Sequence, residues 1–568
     1  MSRGLGDVYK RQLQMYAAEK QLIRISTNQT DLILQVAPNG RVYQSYLGEK
    51  LHNESDLEHL EWRVHPASDA SVVERGWEVC STSGNEDFFE PAWSMMHADG
   101  NPSAWLYYVS SSVKQVPGGT QTDILLRDDK YPVEVTLHYV AYPEENVIKT
   151  WNEIKHQEKK PLLLSRYAST ILYFSSPSYY LTEFSGDWAK EVQMSSQQLQ
   201  FGKKVIDTKL GSRAAMHVQP FFMVGLGKPV EEKDGDVLMG TIGWTGNFRF
   251  TFEVDNVGNL RVIPSINPYA SVYELQKNEI FTTPEFIFTL SKGTGEGSRN
   301  FQQWARNYQL KDGKGTRMTL LNNWENTAFD FDELTLKNLM KEAKDLGVDM
   351  FLLDDGWFGK RDDDFSGLGD WFVNEKKLCG TLSELVKEVH DMGLSFGLWF
   401  EPEMISEDSD LYRAHPDWAL VIPGRQPIRS RSQLVLDMSR EDVTDYLTER
   451  ICDIVEKADI QYIKWDMNRS LMAAYSAKLP RDRQGELRHR YVLGLYKVLE
   501  AVTQRFPELL LEGCSGGGGR FDAGMLYYCP QIWCSDNTDA IERLRIQYGT
   551  SFGYPMSSVS AHVSVCPN

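Results

Sequence analysis

Residues 381–403 read TLSELVKEVHDMGLSFGLWFEPE, and this stretch decides the fold. Thr381 with Glu384 three residues later is a capping box, so a helix starts here. Leu385, Val386, Val389 and Met392 recur at helical spacing and give it one apolar face. Gly393 ends it, because glycine enters the left-handed region that closes a helix without steric cost. Leu394 to Phe400 is then an apolar run of strand length, and Glu401-Pro402-Glu403 follows at once. Helix, tight turn, buried strand and a polar cluster after the strand make one unit of a parallel α/β fold. In such folds ligands bind at the C-terminal ends of the strands.

The unit repeats in both directions. Upstream, Thr319 to Trp324 reads as a buried strand. Asp332 can cap a helix that carries Leu336, Leu339, Met340, Ala343 and Leu346 inward and stops at Gly347, and Asp349 to Leu353 is the next strand. Downstream, Ser439 starts a helix through Val443, Leu447, Ile451, Ile454 and Val455 into the strand Gln461 to Trp465. A helix over 485–506 leads to Leu509-Leu510-Leu511, Gln531 to Cys534 is a further strand, and one more fits between Met556 and Val563. The first half has another rhythm. Val133 to Tyr139 and Phe248 to Phe252 alternate with period two, and turn signals intervene at Asn39-Gly40, Pro117-Gly118-Gly119 and Asn256 to Gly258. The expected architecture is an N-terminal antiparallel β-sandwich (a supersandwich) over 13–295, a helical linker over 296–316 with Phe301, Trp304, Ala305 and Tyr308 at helical spacing, and a (β/α)8-type barrel over 317–568. Residues 1–12 (MSRGLGDVYKRQ) fit neither half and read as a non-native leader.

Composition bounds the function. The 568 residues allow two to four domains at about 150 residues each. Sixty Lys and Arg against 79 Asp and Glu give a net charge of −19, which argues against a nucleic-acid partner or a basic membrane-surface protein. No apolar run reaches the ~18 residues of a membrane span, and no apolar signal stretch opens the chain, so a cytoplasmic location is expected. Seven cysteines, an odd and sparse set, read as reduced thiols.

The strand ends carry the chemistry. They give Trp324-Glu325, Asp354-Asp355-Gly356-Trp357, Glu401-Pro402-Glu403, Lys464-Trp465-Asp466-Met467-Asn468, Cys514-Ser515 with four glycines and Arg520, and Ser535-Asp536-Asn537. Taken singly, each has a plain reading: a helix-capping Asp, a core Trp, a structural Lys–Asp pair, a glycine turn. Together, at one end of one sheet, they describe an active site. There is no GxGxxG, GxxxxGK[ST] or HExxH, and Cys529 and Cys534 have the wrong spacing for zinc, so no cofactor and no metal are expected. Carboxylates beside Trp platforms suit carbohydrate chemistry, because glycosidases use two carboxyl groups about the scissile bond and indoles pack on the C–H face of a sugar. Lys464 and Asp466 lie two apart on a strand and point to the same side, so the ammonium should hold Asp466 ionised, as a nucleophile requires. Asp536 follows an apolar strand with no adjacent cation, and burial there should favour its protonated form, as a general acid requires.

At these residues the sequence resembles glycoside hydrolase family 36, the microbial α-galactosidases. The matching strings are Leu353 to Phe358, Trp399 to Met404, Lys464 to Asn468, Glu512 to Arg520 and Trp533 to Asn537. The resemblance implies a retaining exo-α-galactosidase acting on melibiose, raffinose and stachyose, with Asp466 as nucleophile after the fourth strand and Asp536 as acid/base after the sixth. It implies that Asp354 and Asp355 take the galactose 4- and 6-hydroxyls, that Lys464, Arg431 and Asn468 hold other hydroxyls, that Trp324 and Trp399 are walls, and that Cys514 and Gly517 lie beside the 2-hydroxyl. A homotetramer is implied, with part of the β half near a neighbour's active site. Members of this type run on into further barrel strands and a C-terminal β domain, so the barrel is expected to be incomplete and that domain absent. The alternatives are an α-N-acetylgalactosaminidase or a galactosyl transferase on the same scaffold, and a non-catalytic galactoside-binding protein.

Overall fold

The computed structural model describes residues 21–63, 76–85 and 87–566; the leader assigned to 1–12 lies outside them. From Gln21 to Lys292 the strands pair antiparallel. A ten-stranded sheet is the largest unit, and a four-stranded and two three-stranded sheets accompany it. The period-two reading holds: Val133–Tyr142 alternates buried and half-buried residues along its first six positions, which is what one core-facing surface requires. Each turn signal named above sits between paired strands.

The helix Thr294–Trp304 follows, its last turn widening into a π-helical segment Ala305–Gln309. Beyond it the sheet is parallel. Its strands are β1 (Leu320–Asn322), β2 (Met350–Leu353), β3 (Ser395–Phe400), β4 (Tyr462–Trp465), β5 (Leu510–Gly513), β6 (Gln531–Trp533) and β7 (Val559–Ser560), hydrogen-bonded in that order. The sheet curls into a half-barrel, and β1 and β7 do not pair with each other among the described residues. Gly397 permits the close approach of β2: a Cβ there would lie 2.5 Å from Leu352 Cδ1.

The caps form as their chemistry dictates. Asp332 accepts from the Thr335 amide at 2.8 Å, Thr381 and Glu384 complete the capping box, and Gly347 and Gly393 both have positive φ. Four expectations need correction. Leu346 is 72% exposed, because it borders the open cavity of the half-barrel and not a packed neighbour. Arg440, not Ser439, occupies the N-cap position of Glu441–Ala458, and Ser439 bonds Asp437 instead. β1 is half-buried and short: it is an edge strand with one neighbour, and Trp324 already opens a helical turn. Only Val559–Ser560 of the final stretch is strand; Met556–Ser558 is 3-10 helix.

The two halves share packing. The apolar cluster around the parallel sheet includes Tyr142, Phe184 and Phe221 from the antiparallel half, and Thr245 Oγ1 donates to Asp522 Oδ1 at 2.8 Å across the junction. Burial pushes Asp522 up to about 7 against the pull of the Met525 amide, Thr245 and Arg520. An unfolded Asp titrates near 3.9. Between about pH 4 and 7 the folded chain therefore keeps a proton that the unfolded chain has lost. This group alone lowers the folded-to-unfolded ratio about tenfold per pH unit as pH rises through that window. Asp522→Asn should flatten the fall, read as urea midpoints at pH 5 and 7; an unchanged difference between the two midpoints would refute it.

Candidate active site

A cavity of about 1470 Å3 runs along the open side of the half-barrel, from Thr319 and Val348 at the N-terminal ends of the parallel strands to Asp466 and Asp536 at their C-terminal ends. Every site residue expected from the sequence lines it except Gly517. At the end of β4, Asp466 is 6% exposed. Its amide donates to Phe400 O at 2.8 Å, fixing the turn out of the strand. Oδ1 accepts from the Met467 amide (2.9 Å), and Oδ2 accepts from Asn468 Nδ2 (2.7 Å) and Trp399 Nε1 (3.3 Å). Burial works against its charge, yet Lys464, Asn468, Arg431 and Cys514 outweigh it and hold the carboxyl below the usual carboxylate range. Neighbouring Glu401, raised by burial and by the Asp466 charge, moves the other way. It accepts from the Asn468 amide (2.6 Å) and Gln433 Nε2 (2.8 Å).

Lys464 does not pair directly with Asp466. Its ammonium donates to Asp354 Oδ2 at 2.9 Å, because the long stem carries it to the end of β2, and it acts on Asp466 through space. Asn322 Nδ2 donates to the same Asp354 oxygen (2.6 Å). Asp355 is gripped by the buried Arg361, whose Nε and Nη2 donate to its oxygens at 2.8–3.2 Å. Burial still pushes Asp355 up to about 6. Arg431 lies exposed at the mouth with a positive φ, its guanidinium 3.7 Å from Asp364. Trp324 is half-buried against Phe329.

Asp536 departs from expectation. It is half-buried, not buried, and it is hydrogen-bonded: Trp533 Nε1 donates to Oδ1 (2.8 Å) and Trp188 Nε1 to Oδ2 (2.9 Å). Trp188 comes from the antiparallel half of the same chain, 348 positions away. Arg213, also from that half, donates to Ser515 O (3.0 Å) and Gly516 O (3.4 Å), and a Cβ on Gly516 would meet its guanidinium at 2.5 Å. Gly517, with φ +84°, packs instead on Glu191 and the Ser535–Asp536 backbone. So the glycine that lines the cavity is Gly516. Sequence reasoning assigned no role to Trp188, Glu191, Arg213, Arg361 or Glu401. Among the described residues, no cluster of three or more His, Cys, Asp and Glu could hold a metal ion, and no helix is long and apolar enough to cross a membrane.

Comparison with known proteins covers both halves of the chain. Residues 40–276 match the glycosyl hydrolase family 36 N-terminal domain, and residues 280–568 match the melibiase family. The chain belongs to glycoside hydrolase family 36. It is 42% identical to α-galactosidase AgaA of Geobacillus stearothermophilus over 85% of this chain and 69% of the relative. It is 39% identical to the bifunctional α-galactosidase/sucrose kinase AgaSK of Mediterraneibacter gnavus over 98% of this chain and 61% of that protein. Among solved structures, the α-galactosidase of Lactobacillus brevis superposes with a TM-score of 0.93 at 36% identity, covering 97% of this chain and 77% of that one. An AgaA variant solved with stachyose superposes with a TM-score of 0.92 at 37% identity, covering 96% of this chain and 80% of that one. The N-terminal sheets and the curled parallel sheet of this family 36 chain are therefore the family's fold.

Proposed function

We propose that this family 36 chain is a retaining exo-α-galactosidase that removes terminal α-linked galactose from oligosaccharides such as melibiose, raffinose and stachyose. The observation that carries the reading is that Asp466 and Asp536, at the ends of β4 and β6, line one cavity with different support. Asp466 is held ionised by its neighbours, and Asp536 is steered by two indole N–H groups. Asp466 attacks the anomeric carbon while Asp536 gives its proton to the departing glycosidic oxygen. Asp536 then takes a proton from water, which attacks the same carbon, releases Asp466 and leaves α-galactose. Asp354 and Asp355 accept from the 4- and 6-hydroxyls; Lys464, Arg431 and Asn468 serve the others, Trp324 and Trp399 wall the ring, and Cys514 lies at the 2-hydroxyl. Losing a hydroxyl that pairs with a buried carboxylate costs far more than losing a methylene, so discrimination against the gluco epimer is steep.

The test is a panel of p-nitrophenyl α-galactoside, α-N-acetylgalactosaminide and α-glucoside, with NMR of the first-formed sugar. Hydrolysis of the galactoside alone, with α-galactose appearing first, is expected. β-Galactose appearing first would reject retention, and preference for the N-acetyl substrate would reject the substrate assignment. The seven cysteines are all free, which supports a cytoplasmic location. Exposed Ile541, Leu544 and Tyr548 on the helix Ala540–Ser551 support a homo-oligomer, read as a tetramer. The functional units of this reading are 13–295, 296–316 and 317–568.

A further inference from the structure

Glu191 sits in the loop between the strands Tyr179–Ser185 and Gln193–Gln198 of the antiparallel half, yet it is 0% exposed. Among the described residues no Lys, Arg or His pairs with it. A buried carboxyl without a cation is costly to keep and is explained only by what its oxygens accept. Oε2 accepts from Ser535 Oγ at 2.6 Å, and Oε1 accepts from the Ala189 amide at 3.3 Å. Ser535 Oγ in turn accepts from the Asn537 amide (3.1 Å), and Asn537 Nδ2 donates to Ala189 O (2.8 Å). The residues on both sides of Asp536 are thus tied to residues 189–191, while Trp188 of the same loop donates to Asp536 itself.

Two further features belong to this arrangement. Ala189 and Val192 both have positive φ, +60° and +57°, a conformation non-glycine residues keep only where surrounding contacts enforce it. Gly517 lacks the side chain that would strike Glu191: a Cβ there would lie 2.5 Å from Oε1. Glu191 does not line the cavity, so it acts through another residue. We propose that Glu191 is a positioning residue for the proton donor, locking the Ser535–Asn537 segment so that Asp536 meets the glycosidic oxygen. This rests on the reading of Asp536 as acid/base.

The test exploits leaving-group demand. A sugar leaving group needs the proton; p-nitrophenolate scarcely does. Positioned proton transfer contributes about 10²–10⁴-fold. Glu191→Ala should therefore lower kcat/KM on melibiose on the order of 10²-fold, and kcat/KM on p-nitrophenyl α-galactoside, which reports the first step and not the base-assisted second, by less than about tenfold. Glu191→Gln, which keeps an acceptor for Ser535, should recover most of the melibiose rate. Ser535→Ala removes one hydroxyl and should reproduce the split if Glu191→Ala fails to fold. Equal losses on both substrates, or no loss, overturn the proposal. Asp536→Asn run beside them separates the two readings. If it too shows no leaving-group dependence, the proton-donor assignment fails; if it shows the dependence and Glu191→Ala does not, only the role of Glu191 fails.

Discussion

Asp466→Ala should turn over p-nitrophenyl α-galactoside on the order of 10⁴-fold more slowly or worse, as removal of a catalytic nucleophile does, and azide should restore turnover. Azide would attack the anomeric carbon from the face that the carboxylate vacates, p-nitrophenolate would leave, and the product would be β-galactosyl azide. The geometry makes the variant informative. Lys464 keeps its partner Asp354 at 2.9 Å, so removing Asp466 does not strand a buried ammonium. Asn468 loses one acceptor, but its amide still donates to Glu401. The fold should survive, checked by an unchanged circular dichroism spectrum. Activity within tenfold of the unmodified chain, or an azide product of α configuration, would remove Asp466 from the nucleophile's place. Neighbouring Glu401 is a poor substitute: it does not line the cavity, and its raised affinity for a proton makes it a poor nucleophile at neutral pH.

Much of this site was legible because its parts are local. A β/α unit announces itself within about 20 residues: the capping box at Thr381, the glycine at 393 and the apolar run to Phe400 all lie in one short stretch, and the strand ends then place Asp354, Asp355, Asp466 and Asp536 at one mouth. What was not legible depends on contacts between distant residues. No periodicity links Trp188 to Asp536, or Arg213 to the Ser515 carbonyl. Lys464 was read with the carboxylate two residues away, whereas its stem spans to one 110 positions off. Asp536 was read as buried from its strand's apolarity, but strand character does not say what lies over the strand's end. Gly517 and Gly516 are adjacent, and only backbone angles decide which faces the cavity. Leu346 fits the helical stripe and is still exposed, because it borders an open cavity that periodicity cannot show.

Glu403→Gln should be among the most destabilising single changes in the chain, at about 3–5 kcal/mol. Glu403 and Arg520 are both fully buried beneath the site, 2.6 Å apart. Glu403 also accepts from Trp465 Nε1 (3.1 Å) and Tyr491 OH (2.8 Å), and so holds the residue before Asp466. The two partners are not equivalent. A carboxyl left alone can take a proton and stay neutral, but a guanidinium cannot lose one. Arg520→Met should therefore cost less than Glu403→Gln, since Glu403 can neutralise and keep Trp465 and Tyr491. Arg520 already has Nε and Nη2 buried without acceptors among the described residues, so the pair has little net stability to lose. Replacing both, as Glu403→Leu with Arg520→Met, should recover most of the urea midpoint lost by Glu403→Gln while leaving kcat low, because Trp465 loses its acceptor. If Arg520→Met proves the worse of the two single variants, the pair is held by its coulombic attraction and not by the cost of an unpaired guanidinium, and the asymmetry argued here is wrong.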